Sequence, residues 1–366
     1  MRAAIYLSLL ALIPTVCLAQ TSDQGEIPIS CSSDEARAAF IEARDAFDMG
    51  RTNDAKTLLD EAIKKDSKFA CAYLFKAYSA NSATEWRSNM DLAMANKSAA
   101  SKGEQLLIDM NMTFLKNDAE ERFALAKNLV AEYPSSQRAL LALAGEHQGR
   151  KEYTTARDLM YTAMQINPKF PLPHRDLGFS YLFDEPKEFS LAEKHMQKFV
   201  ELRQDEASVH IGLGDVYRAQ QKLEKAREAY SKATEVDSES YVGFSKKGHA
   251  NTYLGNYDEA RADFKQAQEV AKDNSKATWA NFGTFTYLYA GDVESALAAN
   301  QKVIDEIDDM GIPEDQLIFP KIGTHFNRAM MAMYTGHNKN WKKQERLIGA
   351  AGLFEPKGTV SISAMN

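Results

Sequence analysis

Cysteine is scarce in this 366-residue chain, with three residues at Cys17, Cys31 and Cys71. Tryptophan is equally rare, and basic residues number 44 against 51 acidic ones. Ten prolines and 19 glycines, with 44% apolar and 26% charged residues, exclude the fibrous and disordered classes. A formal charge of −7 with the two signs interspersed lacks the basic surface that phosphate recognition needs, so nucleic acid is excluded as a partner. After the first twenty residues no apolar run approaches the roughly 20 residues of a membrane span, and no further span is expected.

Catalytic signatures are also missing. The seven histidines (His147, His174, His195, His210, His249, His325 and His337) are scattered, and none belongs to an HExxH pair. His174 and His210 take matching places in neighbouring repeats, about 10 Å apart on adjacent helices, too far for metal–ligand bonds of about 2 Å. IGLGDVY (211–217) has two glycines of a dinucleotide fingerprint without the third, and no GxSxG elbow or P-loop occurs. The acidic run DEIDDMGIPED (305–315) departs from the calcium-loop spacing and reads as a solvated helix end. NWKKQER (340–346), one Trp among cations on an acidic chain, reads as the outer face of the last helix. No catalytic residue, metal ligand or cofactor is therefore expected, and the chain is read as a non-enzyme.

What is present begins with MRAAIYLSLLALIPTVCLAQ, where one Arg precedes an apolar run ending in Cys17-Leu18-Ala19. This reads as an export signal over residues 1–19, cut after Ala19, which places the mature chain in the periplasm or outside the cell. Val16 is bulky where a lipidation signal wants a small residue, so Cys17 is not read as a lipid anchor. Loss of Arg2 with the signal takes the charge to −8. Cys31 and Cys71 remain, and an even count in an exported chain predicts a disulfide between them. Its loop of about 40 residues would restrict the unfolded chain by about 4 kcal/mol. Two sulfurs alone, with no histidine nearby in sequence, make a poor metal site. NKS (96–98) and NMT (111–113) are glycosylation acceptors in a eukaryotic host.

The dominant signal is self-similarity. GNYDEARADFKQAQEVAKD (255–273) reproduces the pattern of QKLEKAREAYSKATEVDS (221–238) 34 residues earlier. Small residues fall in three columns at about that interval: Ala43, Ala77, Ala144, Gly178, Gly214 and Gly248; Ala55, Ala156, Ala192, Ala226, Ala260 and Ala296; Ala62, Ala163, Ala233 and Ala267. A large residue stands between the second and third columns: Leu59, Met160, Met196, Tyr230 and Phe264. Apolar spacing of three and four marks amphipathic helices, and turns such as Leu254–Tyr257 join them in antiparallel pairs. A small residue at the crossing lets the two helices approach closely, and the large residue fills the space toward the next pair. One pair cannot bury its apolar faces alone, so pairs must stack.

This pattern resembles the tetratricopeptide repeat, most closely in YTTARDLMYTAMQINPKF (153–170) and YDEARADFKQAQEVAKD (257–273). Pro134 and Pro168 stand where that family's terminating proline belongs, whereas Ser67, Gln204, Ser238 and Lys272 replace it elsewhere and the family's early Trp is absent. The resemblance implies an all-α, right-handed superhelical solenoid of antiparallel helix pairs, with about eight to nine units. An extended segment over 20–32 precedes repeats over 33–310, of which 70–136 is degenerate and 81–105 fits loosely. A capping helix pair over 311–351 and a tail over 352–366 follow.

In the family, first helices line a concave groove that holds a peptide or a partner protein. Carried onto this chain, those positions are Arg37, Phe40, Arg44, Phe47 and Tyr78, then Arg138, Leu141, Arg175, Phe179 and Phe183. Asp215, Arg218, His249, Tyr253, Asn281, Phe285 and Tyr289 complete the set. Aromatic and Arg side chains are favoured anchors at interfaces. The carboxylate clamp of one member class is not reproduced, because Arg175 and Asp215 stand where Lys and Asn would be needed beside Asn281. The expected function is a peptide- or protein-binding scaffold. The alternative is a small-ligand binder or enzyme with its pocket at 81–105 or at the C-terminal helix pair.

Overall fold

A computed structural model of the chain describes residues 25–80 and 82–335. The expected export signal, Cys17, the part of the C-terminal pair after Thr335 and the tail lie outside the described residues. Among those described, every regular element is helical. The α-helices are α1 Asp34–Asp48, α2 Thr52–Lys65, α3 Ala70–Tyr78, α4 Ala83–Asn96, α5 Lys102–Lys116, α6 Ala119–Glu132, α7 Gln137–Gly149 and α8 Tyr153–Ile166. They continue with α9 Leu172–Phe183, α10 Phe189–Leu202, α11 Ala207–Ala219, α12 Leu223–Val236, α13 Tyr241–Leu254, α14 Tyr257–Val270, α15 Ser275–Tyr289, α16 Val293–Glu306 and α17 Ile318–Tyr334.

Local chemistry sets the helix ends. Ser33, Ser82, Asp118, Ser136, Ser240 and Asp292 each accept a backbone N–H of the first turn, satisfying donors that a helix start leaves orphaned. Ser101 and Glu104 form a reciprocal capping box at α5. Gly255 closes α13 at φ 81°, a conformation that costs glycine little.

The small-residue columns are the crossings of the helix pairs. All ten alanines of the second and third columns are fully buried. In the first column the neighbour is the large residue of the same pair. A Cβ on Gly178 would lie 2.8 Å from Met196, and one on Gly248 would lie 2.9 Å from Phe264. Leu59, Met160, Met196, Tyr230 and Phe264 are themselves almost wholly buried, and each such side chain contributes about 1.5–3 kcal/mol of burial.

The chain divides after Pro173 into two compact units. In the first, α1/α2, α3/α4, α5/α6 and α7/α8 form antiparallel pairs. Within the loosely fitting stretch 81–105, residues 83–105 form α4, a short 3-10 turn over 97–99 and the start of α5. The guanidinium of Arg138 on α7 binds the Asp48 carboxylate on α1, Nη1 to Oδ1 at 3.3 Å and Nη2 to Oδ2. In the second unit the pairs α11/α12, α13/α14 and α15/α16 follow one another, with α17 against α15 and α16. Successive first helices touch in the series α11, α13, α15 and α17, which puts them on the inner side of the curve within that unit.

The expected Cys31–Cys71 bridge is corrected by the structure, in which both are free thiols. Cys71 is buried in the first turn of α3, and Cys31 packs against the same core. The Cys31 Sγ instead donates toward the carbonyl of Ser33, 3.4 Å away, at the start of α1. Burial raises the pKa of both thiols, that of Cys71 well above its ordinary value.

Candidate functional site

The anticipated groove residues fall into three physical situations. In the first unit, Phe40 belongs to the core, its ring 4.8 Å from Phe69 and 5.2 Å from Phe75. Phe47 packs on Phe75 and Tyr78, and the Tyr78 hydroxyl accepts from Asn111 Nδ2 at 2.6 Å. Burial pushes the Tyr78 phenol upward, so it stays protonated. Arg44 lies over the Phe40 ring at 5.9 Å; burial and then Arg138 lower its pKa, while Asp48 opposes both. Arg138 covers Phe170 at 5.4 Å while holding Asp48. Arg37 donates to the carbonyl of Ile29 at 2.8 Å, and Leu141 is half-buried.

In the second unit, several polar members are consumed by neighbours. Asp215 accepts from Tyr230 Oη at 2.8 Å and from Lys246 Nζ at 2.7 and 2.8 Å, with Arg218 at 3.8 Å. Burial, and then the adjacent Asp215 charge, raise the Tyr230 phenol. His249 sits among Phe282 at 4.6 Å, Phe264 at 5.0 Å and Trp279 at 6.4 Å. Burial, with Arg218 and Lys246 nearby, lowers its pKa to about 4, which makes it a neutral packing group at pH 7. Asn281 is buried, donating to Thr324 Oγ1 at 2.9 Å and accepting from Asn300 Nδ2 at 3.1 Å. That network ties α15, α16 and α17 together.

The remainder is more exposed. Phe179 stacks on Phe183 at 6.0 Å, and Phe183 keeps 63% of its surface in water. Tyr253 and Tyr289 are 60% and 64% exposed, Arg218 is exposed, and Arg175 pairs with its neighbour Asp176 at 2.9 Å. Phe183, Tyr253 and Tyr289 stand at the C-terminal ends of α9, α13 and α15.

Two concavities extend beyond the anticipated residues. One, of about 680 Å³ in the first unit, is lined by Phe47 and Tyr78 together with Trp86, Asn111, Phe114 and Leu115. The other, of about 360 Å³, lies between α15 and α17 and joins Asn281 and Phe285 to Phe282, Phe319, Pro320 and Asn327. The repeat register does not single these residues out. The sequence signal for the first is a pair of adjacent large apolar residues, Phe114 and Leu115, in the last turn of α5, just before the turn at Asn117-Asp118.

His174 and His210 meet different partners. His174 Nδ1 lies 3.3 Å from Nδ1 of His195, whereas Nε2 of His210 meets the carbonyl of Gln204 at 2.8 Å. Among the described residues, no three His, Cys, Asp or Glu side chains are grouped to hold a metal ion. No described helix is long and apolar enough to cross a membrane.

Family models described as "Tetratricopeptide repeat" match residues 207–240 and 244–274, the segments of α11/α12 and α13/α14. These two segments carry tetratricopeptide repeats. Anaphase-promoting complex subunit 3 of Schizosaccharomyces pombe is 20% identical over 196 residues, covering 50% of this chain and 29% of that protein. The chain thus spans under a third of that relative. Among solved structures, YrrB, described as having an unusual peptide-binding site, is 19% identical with a TM-score of 0.40, covering 49% of this chain and 91% of its own. A tetratricopeptide repeat protein from Parabacteroides merdae is 12% identical with a TM-score of 0.41, covering 80% and 99%. Such repeats support a protein-interaction scaffold as the broad functional class.

Proposed function

We propose that this repeat protein is a non-enzymatic, exported scaffold that holds an extended peptide, or an extended segment of a partner protein, on the first-helix face of its second unit. The observation that carries the reading is a contrast in burial. Every large residue of the repeat columns is sealed, yet Phe183, Tyr253 and Tyr289 remain mostly in water at the ends of three first helices. Rigid aromatics offer large contact area at low entropic cost, and Arg218 on α11 is exposed as a further contact. Export rests on the N-terminal sequence pattern.

The test is affinity capture from a periplasmic or secreted extract with wild type and with a Phe183→Ala/Tyr253→Ala variant. Both side chains are exposed, so the variant is expected to keep its helical circular dichroism and melting temperature. Loss of the captured partners supports the face as the binding surface. An unchanged set of partners from a folded variant rules that face out.

A small-ligand site is the second reading, favoured by the cleft between α15 and α17 with Phe282, Phe285 and Phe319 around it. Its lining carries no ionisable side chain, which fits a neutral apolar ligand better than acid–base chemistry.

A further inference from the structure

Residues 25–32 form no helix, yet they are bound at nearly every step across the first unit. The Glu26 carboxylate accepts from Ser136 Oγ and from the backbone N–H of Gln137, both at 2.7 Å, at the N-terminus of α7. A carboxylate is favoured there by the unpaired amides and the helix dipole. Ile27 is buried, and its seat exists because α5 carries Gly103: a Cβ there would stand 2.6 Å from Ile27 Cγ2. The next residues are held by main chain. Ser101 Oγ donates to Pro28 O, and Arg37 Nη1 donates to Ile29 O, both at 2.8 Å. The N–H of Ser30 donates to both oxygens of Glu104 at 3.2 Å, and that of Ser32 donates to Asp66 Oδ2 at 2.6 Å.

This is the grammar of extended-peptide recognition: main-chain hydrogen bonds supply attachment, and a few side chains supply selectivity. The receiving groups come from α1, the end of α2, α5 and α7, so the seat is built by residues as far apart in the chain as Arg37 and Gln137. Glu104 is 1% exposed. Burial raises its carboxyl, and the amides of Ser101 and Ser30 pull it back down, so the bound segment helps to stabilise the charge placed there.

The geometry points to a peptide-binding seat on the first unit, filled by the chain's own residues 26–32 as an intramolecular ligand. A partner segment with the same chemistry, a carboxylate followed by a β-branched residue, Pro and a second apolar residue, takes the seat by displacing it. The site is separate from the aromatic face of the second unit, and either can fail without the other. A tethered segment competes at an effective concentration in the millimolar range, so the intact strap masks the seat from dilute peptide.

The probe is a fluorescein-labelled synthetic peptide of residues 24–33 with Cys31→Ser, titrated into the full chain by anisotropy. The full-length variant Glu26→Ala/Ile27→Ala, which weakens the strap alone, is expected to bind that peptide at least about tenfold more tightly than wild type. Losing two charge-assisted hydrogen bonds has an effect of at least that size. A peptide carrying Glu26→Ala is expected to lose at least about tenfold on the same variant. A folded variant with unchanged peptide affinity, or a peptide indifferent to Glu26, overturns the proposal. Should the variant fail to fold, amide hydrogen exchange of wild type decides. Ser30 and Ser32 exchanging ahead of the α5 and α7 amides supports a separable strap, and exchange only together with those helices refutes it.

Discussion

Replacing Gly214 with alanine sets two effects of opposite sign against each other. Within a helix interior, alanine is favoured over glycine by about 1 kcal/mol, because glycine gives up more backbone freedom. At Gly214 on α11, however, the new Cβ would overlap Cε1 of Tyr230 and lie 2.6 Å from Cδ1. Ordinary carbon–carbon contact needs about 3.5 Å, so the ring must retreat by roughly 1 Å. Retreat is hard. Tyr230 is fully buried against Ala226 and Ala250, and its hydroxyl is tied to Asp215 at 2.8 Å. Overpacking of this kind costs about 1–3 kcal/mol and here also strains the phenol–carboxylate bond. The steric term therefore wins, and Gly214→Ala is expected to lower stability by about 1–2 kcal/mol after the helix-propensity gain is included.

Gly145 on α7 is the control, because nothing lies within 4 Å of the place an added methyl would occupy. Gly145→Ala is expected to gain about 0.5–1 kcal/mol. Urea unfolding followed by circular dichroism, together with amide exchange in α11 and α12, measures both variants; the local probe matters because repeat arrays can unfold in parts. In the double variant Gly214→Ala/Tyr230→Leu the two changes should couple favourably, since trimming the ring removes the clash. Equal stabilisation by both alanines would refute the reasoning and with it the view that small residues mark close crossings.

Acid should weaken the second unit through its buried imidazoles. Burial lowers His195 and His249 to about 4, so both are neutral in the fold, while the unfolded chain takes up protons near pH 6.5. Their contribution is fully present above about pH 6.5 and is lost as the pH falls toward 4. Glu104 and Asp263, raised by burial, act in the opposite sense. The readout is thus a difference: His249→Gln should flatten the fall in urea midpoint between pH 7 and 5, and an unchanged slope counts against a buried neutral ring. For the cysteines, the denatured chain should expose reactive thiols at both Cys31 and Cys71. In the native fold a thiol reagent should label Cys31 first, because Cys71 is buried; mass spectrometry showing a Cys31–Cys71 crosslink would contradict this.

The repeat was legible because close helix packing leaves a compositional trace. Ala55 and Ala260 are small for the same reason, and a period of 34 residues makes that shared reason visible. Chemistry without a period leaves no such trace. Arg138 meets Asp48 across 90 positions, Glu104 receives Ser30 across 74, and Asn281, Asn300 and Thr324 bond across three helices. Each of those contacts is particular to its place, so no column of the repeat announces it. Phe40 and Phe183 are both aromatics of first helices, yet the first is sealed in the core and the second stands in water.

That divergence has a physical cause inside each unit. A first helix presents its inner side chains to whatever lies across the curve. In the first unit, Phe69 and Phe75 close over Phe40, and Arg138 is already held by Asp48. Beside Phe183 stands Phe179, which stacks on it without covering it. Phe40 stands three residues before Ala43 and Phe183 five after Gly178, so the two take different places on their helices, and the surrounding side chains decide whether each meets protein or solvent. A first-helix aromatic becomes a candidate anchor only where its neighbours leave it open, and among the anticipated groove aromatics that condition is met by Phe183, Tyr253 and Tyr289.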